Sequence, residues 1–251
     1  MKTRLFFAFA SLLLAGCTSF SAPESFRYQE IDTEFFRLAS WQKLTDASKP
    51  LRVYIEGDGY AFNAHGRPSS NPTPRETDFR ALAFGDPHAN VVYLARPCQY
   101  VKDSRCSRAH WSTARFSPQV IAAESQALAA VAGSRPMTLI GFSGGAQVAG
   151  LAAVTAKDLN VRKIVTLAGN LDHPAWCRYH KLPALAQSLD LTDYWAAFEA
   201  IPQVHFVCED DTVIPPDITI RRIGGNAPVV VLPDVSHASG WLKYSAQIYG
   251  Q

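Results

Sequence analysis

Apolar positions along this chain fall into two alternating patterns after residue 50. Short, largely apolar runs, such as residues 51–55 and 91–94, are typical of buried strands. Between such runs lie segments whose apolar residues are three or four positions apart, as in 118–132, and this spacing indicates helices. Strands that alternate with helices favour an α/β fold with a mostly parallel sheet and helices on both faces.

The same patterns assign the remaining elements. Residues 26–44 alternate loosely between apolar and polar positions, which predicts an antiparallel strand pair ahead of the alternating region. Further strands are predicted at 137–140, 161–167, 203–207 and 228–232. Further helices are predicted at 78–84, 146–157, 217–223 and 240–249.

One aromatic-rich segment, 171–203, interrupts this rhythm and contains no clear strand. With 251 residues and 47% hydrophobic content, the chain can bury a full core. We therefore predict a single domain over 26–251, with 171–203 as a short cap-like insertion.

A short motif stands between a predicted strand and a predicted helix. Residues 141–145 read Gly-Phe-Ser-Gly-Gly, so Ser143 has glycine two positions before it and two positions after it. A turn sharp enough to project a serine above the sheet makes side chains at those two positions collide, and glycine removes the collision. The motif predicts a nucleophilic serine, with a chance Gly-x-Ser-x-Gly loop as the alternative.

A serine nucleophile needs a base to take its proton and a carboxylate to orient that base. Asp211 and His237 each follow a predicted strand in the second half of the chain. They are therefore the expected acid and base. Asp210 is the alternative acid, and His205, which alternates within a predicted strand, is expected to be structural.

The order serine, acid, histidine, each on a loop after a strand, resembles the α/β-hydrolase superfamily from residue 51 to the C-terminus. The acid loop of that superfamily often reads Asp-x-Val-Ile-Pro, and Asp211 has Val-Ile-Pro at 213–215 behind it. The resemblance implies an α/β-hydrolase fold and a catalytic triad of Ser143, Asp211 and His237.

The resemblance also implies an oxyanion hole made of two backbone N–H groups. One belongs to the residue after the nucleophile, here Gly144. The other comes from the loop after the strand at 51–55, where this chain reads Glu-Gly-Asp-Gly at 56–59 and the superfamily often has His-Gly-Gly-Gly. Either Asp58 or Gly59 would present the second amide.

The N-terminus is typical of an export signal. Lys2 and Arg4 precede an apolar run that is too short for a permanent membrane span, and Leu-Ala-Gly-Cys follows at 14–17. This ending resembles a bacterial lipobox, which implies removal of residues 1–16, lipidation of Cys17 and a tether at 17–25. Thr18 resembles outer-membrane sorting. An ordinary signal peptide with Cys17 as a structural thiol is the alternative.

The remaining four cysteines of an exported protein predict two disulfides, with three pairings open. Cys98 and Cys106 would close a short loop and form the local choice, which leaves Cys177 for Cys208. The superfamily usually has glycine at the position of Cys208, and a bond to Cys177 would tie the insertion to the acid loop. Buried free thiols are the alternative.

Charge argues against a polyanionic partner. The chain has 24 basic and 22 acidic residues, and removal of residues 1–16 would take two cations and no anions. Nucleic acid is therefore not an expected partner. The cysteine spacing does not match a metal site, and no organic cofactor is implied.

Together these features predict a serine hydrolase on a bacterial membrane, and the resemblance implies a carboxylic-ester hydrolase acting on a small-molecule acyl substrate. The short, aromatic insertion favours small or medium acyl groups. A peptidase, thioesterase or acyltransferase of the same fold is an alternative, because one fold hosts many reactions. A non-catalytic envelope lipoprotein that binds a partner through its loops at 60–74 and 97–116 is another.

Overall fold

The computed structural model describes residues 21–251. The predicted signal peptide, Cys17 and residues 18–20 of the predicted tether lie outside the described residues. The described part is built around one eight-stranded sheet. Its strands are β1 (Arg27–Asp32), β2 (Arg37–Leu44), β3 (Leu51–Ile55), β4 (Asn90–Leu94), β5 (Met137–Phe142), β6 (Val161–Leu167), β7 (Gln203–Cys208) and β8 (Val229–Leu232).

The strands are ordered β1-β2-β4-β3-β5-β6-β7-β8 across the sheet. β1 and β2 form the predicted antiparallel pair, and β2 is also antiparallel to β4. All other neighbours are parallel. The prediction of a mostly parallel sheet preceded by an antiparallel pair is confirmed.

Within residues 21–251, seven α-helices connect or flank the strands. They are α1 (Asp78–Gly85), α2 (Pro118–Ala132), α3 (Gly144–Thr155), α4 (His173–Tyr179), α5 (Trp195–Glu199), α6 (Pro216–Ile223) and α7 (Ser245–Tyr249). Short 3₁₀ turns occupy Arg108–Trp111, Leu191–Tyr194 and Trp241–Tyr244.

Side chains of each central strand point alternately to two cores, one on each face of the sheet. In β3, Leu51, Val53 and Ile55 pack with α2 and α3, whereas Tyr54 packs on the opposite face with α1. All four side chains are fully buried. Burial on both faces explains why these strands are largely apolar in sequence rather than strictly alternating.

The segment 171–203 contains α4, the turn Leu191–Tyr194 and α5, and no strand begins before β7 at its last residue. Its later part is anchored on α3 at Gly150. A methyl group at this glycine would lie 2.6 Å from Leu191 Cδ2 and 3.0 Å from Phe198 Cε2. The small residue therefore allows the insertion to pack directly against α3.

The C-terminal helix is shorter than the predicted 240–249. Residues Trp241–Tyr244 form a 3₁₀ turn, and α7 begins only at Ser245. The buried indole of Trp241 donates its N–H to the carbonyl of His237 at 3.0 Å. This contact ties the turn to the loop that carries His237.

The chain changes its direction of travel across the sheet between β3 and β5. From β3 it moves outward to β4, and from β4 it crosses back to β5 on the other side of β3. In open parallel sheets such a switch point leaves a crevice at the carboxyl ends of the two strands, where ligands bind. β3 ends just before the loop at 56–59, and β5 ends just before Ser143.

One of the two predicted disulfides is present. Cys98 and Cys106 are bonded, with a Cα–Cα distance of 5.8 Å, which confirms the local pairing. The pairing of Cys177 with Cys208 is wrong, because both thiols are free and buried. Cys177 lies in the core on one face of the sheet and Cys208 in the core on the other.

Within residues 21–251, none of the helices has the length and apolar character needed to cross a bilayer.

Candidate active site

Ser143 occupies the turn between β5 and α3 in a backbone conformation that side chains rarely adopt, with φ 51° and ψ −120°. Such strain persists only where the surrounding structure holds it, and it recurs at functional sites. The hydroxyl-bearing residue is thereby placed directly before the first residue of α3. Ser143 is 9% exposed, so little solvent reaches it.

The two glycines around Ser143 are required by contacts rather than by flexibility. A methyl group on Gly141 would lie 2.6 Å from the Gly145 carbonyl oxygen, across the turn. One on Gly145 would lie 2.3 Å from the carbonyl oxygen of Ile55 at the end of β3. The turn therefore closes on itself and packs against β3 only because both positions lack a side chain.

Ser143, His237 and Asp211 form one hydrogen-bonded chain. His237 Nε2 lies 3.1 Å from Ser143 Oγ, and His237 Nδ1 lies 2.8 Å from Asp211 Oδ2. The loop after β8 carries the histidine, and the loop after β7 carries the aspartate. Both distances are within hydrogen-bonding range for a nucleophile, a base and an orienting carboxylate.

Asp211 is fixed from its other side by its own loop. Its Oδ1 accepts hydrogen bonds from the backbone N–H groups of Val213 at 2.7 Å and Ile214 at 2.9 Å. Asp210, the alternative acid, is exposed, whereas Asp211 is buried. The structure thus brings Asp211, not its neighbour, to His237.

His205 is not part of the hydrogen-bonded chain of Ser143, His237 and Asp211. It is fully buried on β7, with Nδ1 2.8 Å from Thr166 Oγ1 and Nε2 2.9 Å from Gln203 Oε1. Burial lowers the pKa of His205 to about 4, so the ring is neutral near pH 7.

The loop after β3 is held by hydrogen bonds on both sides of Gly57. The Glu56 carboxyl accepts from the Gly57 N–H at 2.8 Å, and the Gln99 side-chain amide donates to the Gly57 carbonyl at 2.9 Å. A trans peptide points its carbonyl and the following N–H in opposite directions. The contact with Gln99 therefore turns the Asp58 N–H away from Gln99.

Gly59 has a different task in this loop. Its φ is +61°, and a methyl group there would lie 2.2 Å from the Pro72 carbonyl oxygen. Glycine is therefore needed to make the turn that follows Asp58. The Asp58 N–H, one of the two expected sources of the second oxyanion amide, thus points away from Gln99.

Glu56 stands where the superfamily often has histidine. Its carboxyl is buried beside the Tyr93 hydroxyl, which donates a hydrogen bond to it. Burial raises the pKa of Glu56 to about 7, although the hydrogen bonds from Tyr93 and from the Gly57 N–H oppose this shift.

A cavity of about 370 Å³ opens above Ser143 and His237. Asp58 and Gly59 also line it, so both predicted sources of the second amide border the same space as Ser143. Most of its wall is apolar and includes Phe62, Phe79, Phe142, Trp176, Val213 and Ile214, while the charged residues Glu56, Glu76 and Arg115 also line it. Such a volume is at the small end of ligand-binding pockets.

The insertion contributes Trp176 to this wall and is tied to the acid loop by hydrogen bonds rather than by a disulfide. The Trp176 indole N–H donates to the Val213 carbonyl at 2.7 Å. His180 Nε2 lies 3.0 Å from the same carbonyl. These contacts supply the link that the sequence had suggested for Cys177 and Cys208.

Three polar residues at the site were missed by sequence reasoning. Arg96 and Arg115 both contact the Asp58 carboxylate, and Asn170 lines the cavity while its N–H donates to the Ser143 carbonyl at 2.9 Å. Arg96 and Asn170 each follow a strand closely, at the carboxyl edge where functional residues gather. That position is the signal that could have marked them.

Across residues 21–251, no group of three or more His, Cys, Asp or Glu side chains is arranged to hold a metal ion.

Comparison with known proteins finds no matching family and no matching curated protein by sequence. Several solved structures are similar to that of this chain. Est1E from Butyrivibrio proteoclasticus matches with a TM-score of 0.61 and 15% identity, over 88% of this chain and 95% of that one. The thioesterase domain from the curacin biosynthetic pathway matches with a TM-score of 0.61 and 10% identity, over 90% and 98%.

A third structure, an α/β serine hydrolase without a lid from Xanthomonas campestris, matches with a TM-score of 0.53 and 12% identity, over 91% and 92% of the two chains. At these identities the likeness concerns the fold. Together with the sheet order and its flanking helices, it shows that this chain has the α/β-hydrolase fold, as the sequence predicted.

Proposed function

We propose that this protein is a serine hydrolase that cleaves carboxylic esters through an acyl-enzyme. One observation carries the proposal: Ser143, His237 and Asp211 form a continuous hydrogen-bonded chain at the base of an apolar cavity. Each residue lies on a loop at the carboxyl edge of the sheet. This arrangement meets the geometric requirements for a nucleophile, its base and an orienting acid.

In the first half-reaction the Ser143 oxygen attacks the ester carbonyl carbon while His237 Nε2 takes the hydroxyl proton. Asp211 accepts the hydrogen bond from Nδ1 and stabilises the imidazolium that forms. The carbonyl π electrons move to oxygen, and the resulting oxyanion accepts hydrogen bonds from the N–H groups of Gly144 and Asp58. The tetrahedral intermediate collapses, and the departing alcohol takes the proton from His237.

In the second half-reaction water takes the place of the alcohol. His237 removes a proton from water, the hydroxide attacks the acyl carbonyl, and the same two N–H groups hold the second oxyanion. Collapse of this intermediate breaks the bond to Ser143 and returns the proton to the serine oxygen. The products are a carboxylic acid and an alcohol.

The cavity supports esters of small or medium acyl groups as substrates. Its volume of about 370 Å³ and its aromatic walls suit an uncharged acyl chain of limited length. The fold is shared with a protein named as a thioesterase domain and with one named Est1E. Ester cleavage is preferred because the resemblance to the α/β-hydrolase superfamily implies it.

The test is hydrolysis of a series of 4-nitrophenyl esters of increasing acyl length by the wild type and by Ser143→Ala. We expect turnover by the wild type, a maximum at short or medium acyl chains, and loss of turnover in Ser143→Ala. A wild type that is inactive across the series and does not react with a fluorophosphonate, or equal rates in the wild type and the variant, would rule out this function and favour a binding role.

We also propose that the protein is exported and anchored to a membrane by a lipid attached to Cys17. Support comes from the lipobox-like sequence and from Phe26, which is already buried in the domain nine residues after Cys17. Acyl chains contribute about 0.8 kcal/mol per buried methylene group to membrane binding. Metabolic labelling with a radioactive fatty acid is expected to mark the wild type and to leave Cys17→Ser unlabelled; labelling of both would contradict lipidation at this residue.

A further inference from the structure

The side chain of Asp58 fills the space beside Gly144 that a side chain at position 144 would occupy. A methyl group on Gly144 would lie 2.4 Å from Asp58 Oδ1 and 2.8 Å from Asp58 Cγ. The carboxylate of the oxyanion loop is therefore seated directly against the residue that follows the nucleophile. This contact sets how far the Asp58 backbone lies from the start of α3.

Two arginines hold that carboxylate from the other side. Arg115 Nη1 lies 2.6 Å from Asp58 Oδ2, and Arg96 Nη1 lies 3.3 Å from Asp58 Oδ1. Both guanidinium side chains are only 5% exposed. Charge-assisted contacts of this kind are stronger and more directional than neutral hydrogen bonds.

The arginines are themselves fixed to the backbone of the loop between β4 and α2. Arg115 Nε donates to the Ser112 carbonyl at 2.7 Å, and Arg96 Nη2 donates to the Arg115 carbonyl. The Arg115 guanidinium also lies near the faces of Phe62 and Trp176, with ring centres 5.4 and 5.6 Å away. Neither arginine is free to follow Asp58 if it moves.

We propose that Arg96 and Arg115 are positioning residues that clamp the Asp58 side chain against Gly144 and so hold the two N–H groups of the oxyanion hole at a fixed separation. This proposal rests on the proposed function and extends it by assigning two roles to Asp58. The Asp58 backbone N–H binds the oxyanion, and the Asp58 side chain keeps that N–H in place.

The clamp also offsets the negative charge that Asp58 brings close to the oxyanion. An uncompensated carboxylate beside Gly144 would repel the negative charge that develops on the substrate oxygen, because charges interact strongly where water is excluded. The guanidinium groups of Arg96 and Arg115 compensate the charge of this carboxylate. The aspartate at position 58, where the superfamily often has glycine, is therefore compatible with an oxyanion at this site.

The test compares Asp58→Asn, Arg115→Met and the double variant on 4-nitrophenyl butyrate, with Arg52→Met as a control. Arg52 is matched because it is equally buried and pairs with Asp86 at 2.8 Å, near the opposite end of β3. Affinity for an aryl trifluoromethyl ketone, whose serine adduct carries the oxyanion, is measured in parallel. Arg115→Lys is included in case Arg115→Met folds poorly, and fluorophosphonate titration corrects every rate for active sites.

We expect each single variant to lower kcat about 10- to 100-fold, the range that misplacement of a reacting group produces, with trifluoromethyl ketone affinity falling in parallel. KM should change less than about threefold, because the clamp acts on the oxyanion, which forms only after the substrate has bound. The double variant should be no slower than the slower single variant, since Arg115 acts through Asp58. Arg52→Met should keep the wild-type kcat.

Wild-type kcat in both Arg115 variants, additive losses in the double variant, or a raised KM with unchanged kcat would overturn the clamp; the last result would make Arg115 a substrate-binding residue. These results all require an active wild type. An inactive wild type that also fails to react with a fluorophosphonate would instead refute the proposed function.

Discussion

Asp210 and Asp211 are adjacent in sequence but have different surroundings. Asp211 is buried, contacts His237 through Oδ2 and accepts two backbone N–H groups through Oδ1, whereas Asp210 is exposed. An amide at position 211 keeps the shape of the carboxylate but loses its charge and presents N–H groups where only acceptors fit. The imidazole would then lose the partner that fixes its tautomer.

Asp211→Asn is therefore expected to lower kcat on an ester roughly 10³- to 10⁴-fold, the scale seen when a triad carboxylate is neutralised. Asp210→Asn is the matched control and should retain activity within about twofold, because exposed substitutions away from the site perturb little. Steady-state kinetics of the two variants provide the measurement. Equal losses in both, or a larger loss in Asp210→Asn, would be incompatible with the assignment.

At the scale of elements, the loop between β4 and α2 carries both arginines of the proposed clamp and the disulfide between Cys98 and Cys106. The bond joins residues only eight positions apart. By the chain-entropy relation, such a short cross-link contributes roughly 2–3 kcal/mol to the free energy of unfolding.

Replacing both Cys98 and Cys106 by alanine should lower the free energy of unfolding by roughly 2–3 kcal/mol in urea titrations. A reductant should destabilise the wild type but have no effect on the double variant. The wild type, unfolded without reductant, should expose the thiols of Cys177 and Cys208 to alkylation but not those of Cys98 and Cys106. Alkylation of Cys98 and Cys106 in that sample would contradict the cross-link.

The elements and the order of Ser143, Asp211 and His237 on loops after successive strands could be predicted because local patterns encode them. Apolar runs mark the central strands, and paired glycines mark the turn at Ser143, whose collisions are local. The contacts of Asp58 could not be predicted in this way. Its partners Arg96 and Arg115 are 38 and 57 residues away in sequence, and they meet it only after β3, β4 and the following loop assemble.

The incorrect disulfide shows a related limit of sequence reasoning. An even number of cysteines suggests pairing, but it carries no information about the face of the sheet on which each lies. Cys208 belongs to the core opposite that of Cys177. Likewise, the C-terminal helix could be predicted as an element, but the 3₁₀ turn before it could not. In that turn the Trp241 indole N–H donates to the His237 carbonyl.

At the scale of the whole molecule, two buried carboxyl groups make stability depend on pH. Burial raises the pKa of Glu124 to about 8, although the nearby charge of Arg96 opposes the shift, and burial raises the pKa of Glu56 to about 7. Both groups ionise near pH 4.5 when unfolded. Between that pH and the folded-state pKa, the folded protein holds protons that the unfolded chain releases, so stability falls as the pH rises.

Glu124→Gln removes one of these groups and is expected to stabilise the protein more at pH 8 than at pH 5, by on the order of a few kcal/mol, since each pKa unit corresponds to about 1.4 kcal/mol. The exposed Glu34→Gln is the control and should show no such pH dependence. Urea unfolding of the three proteins at both pH values measures the effect. A gain from Glu124→Gln that is the same at pH 5 and pH 8 would refute this role for the carboxyl.

Ser143 is proposed to be an activated nucleophile, and its reaction with a fluorophosphonate is the decisive test. The reagent forms a stable bond with a serine oxygen that a neighbouring histidine can deprotonate. Mass spectrometry of peptides from the treated protein is predicted to find one phosphonylated residue, Ser143, and Ser143→Ala and His237→Ala are predicted to remain unlabelled. A folded wild type that stays unlabelled, or a label that persists in Ser143→Ala, would show that Ser143 is not an activated nucleophile.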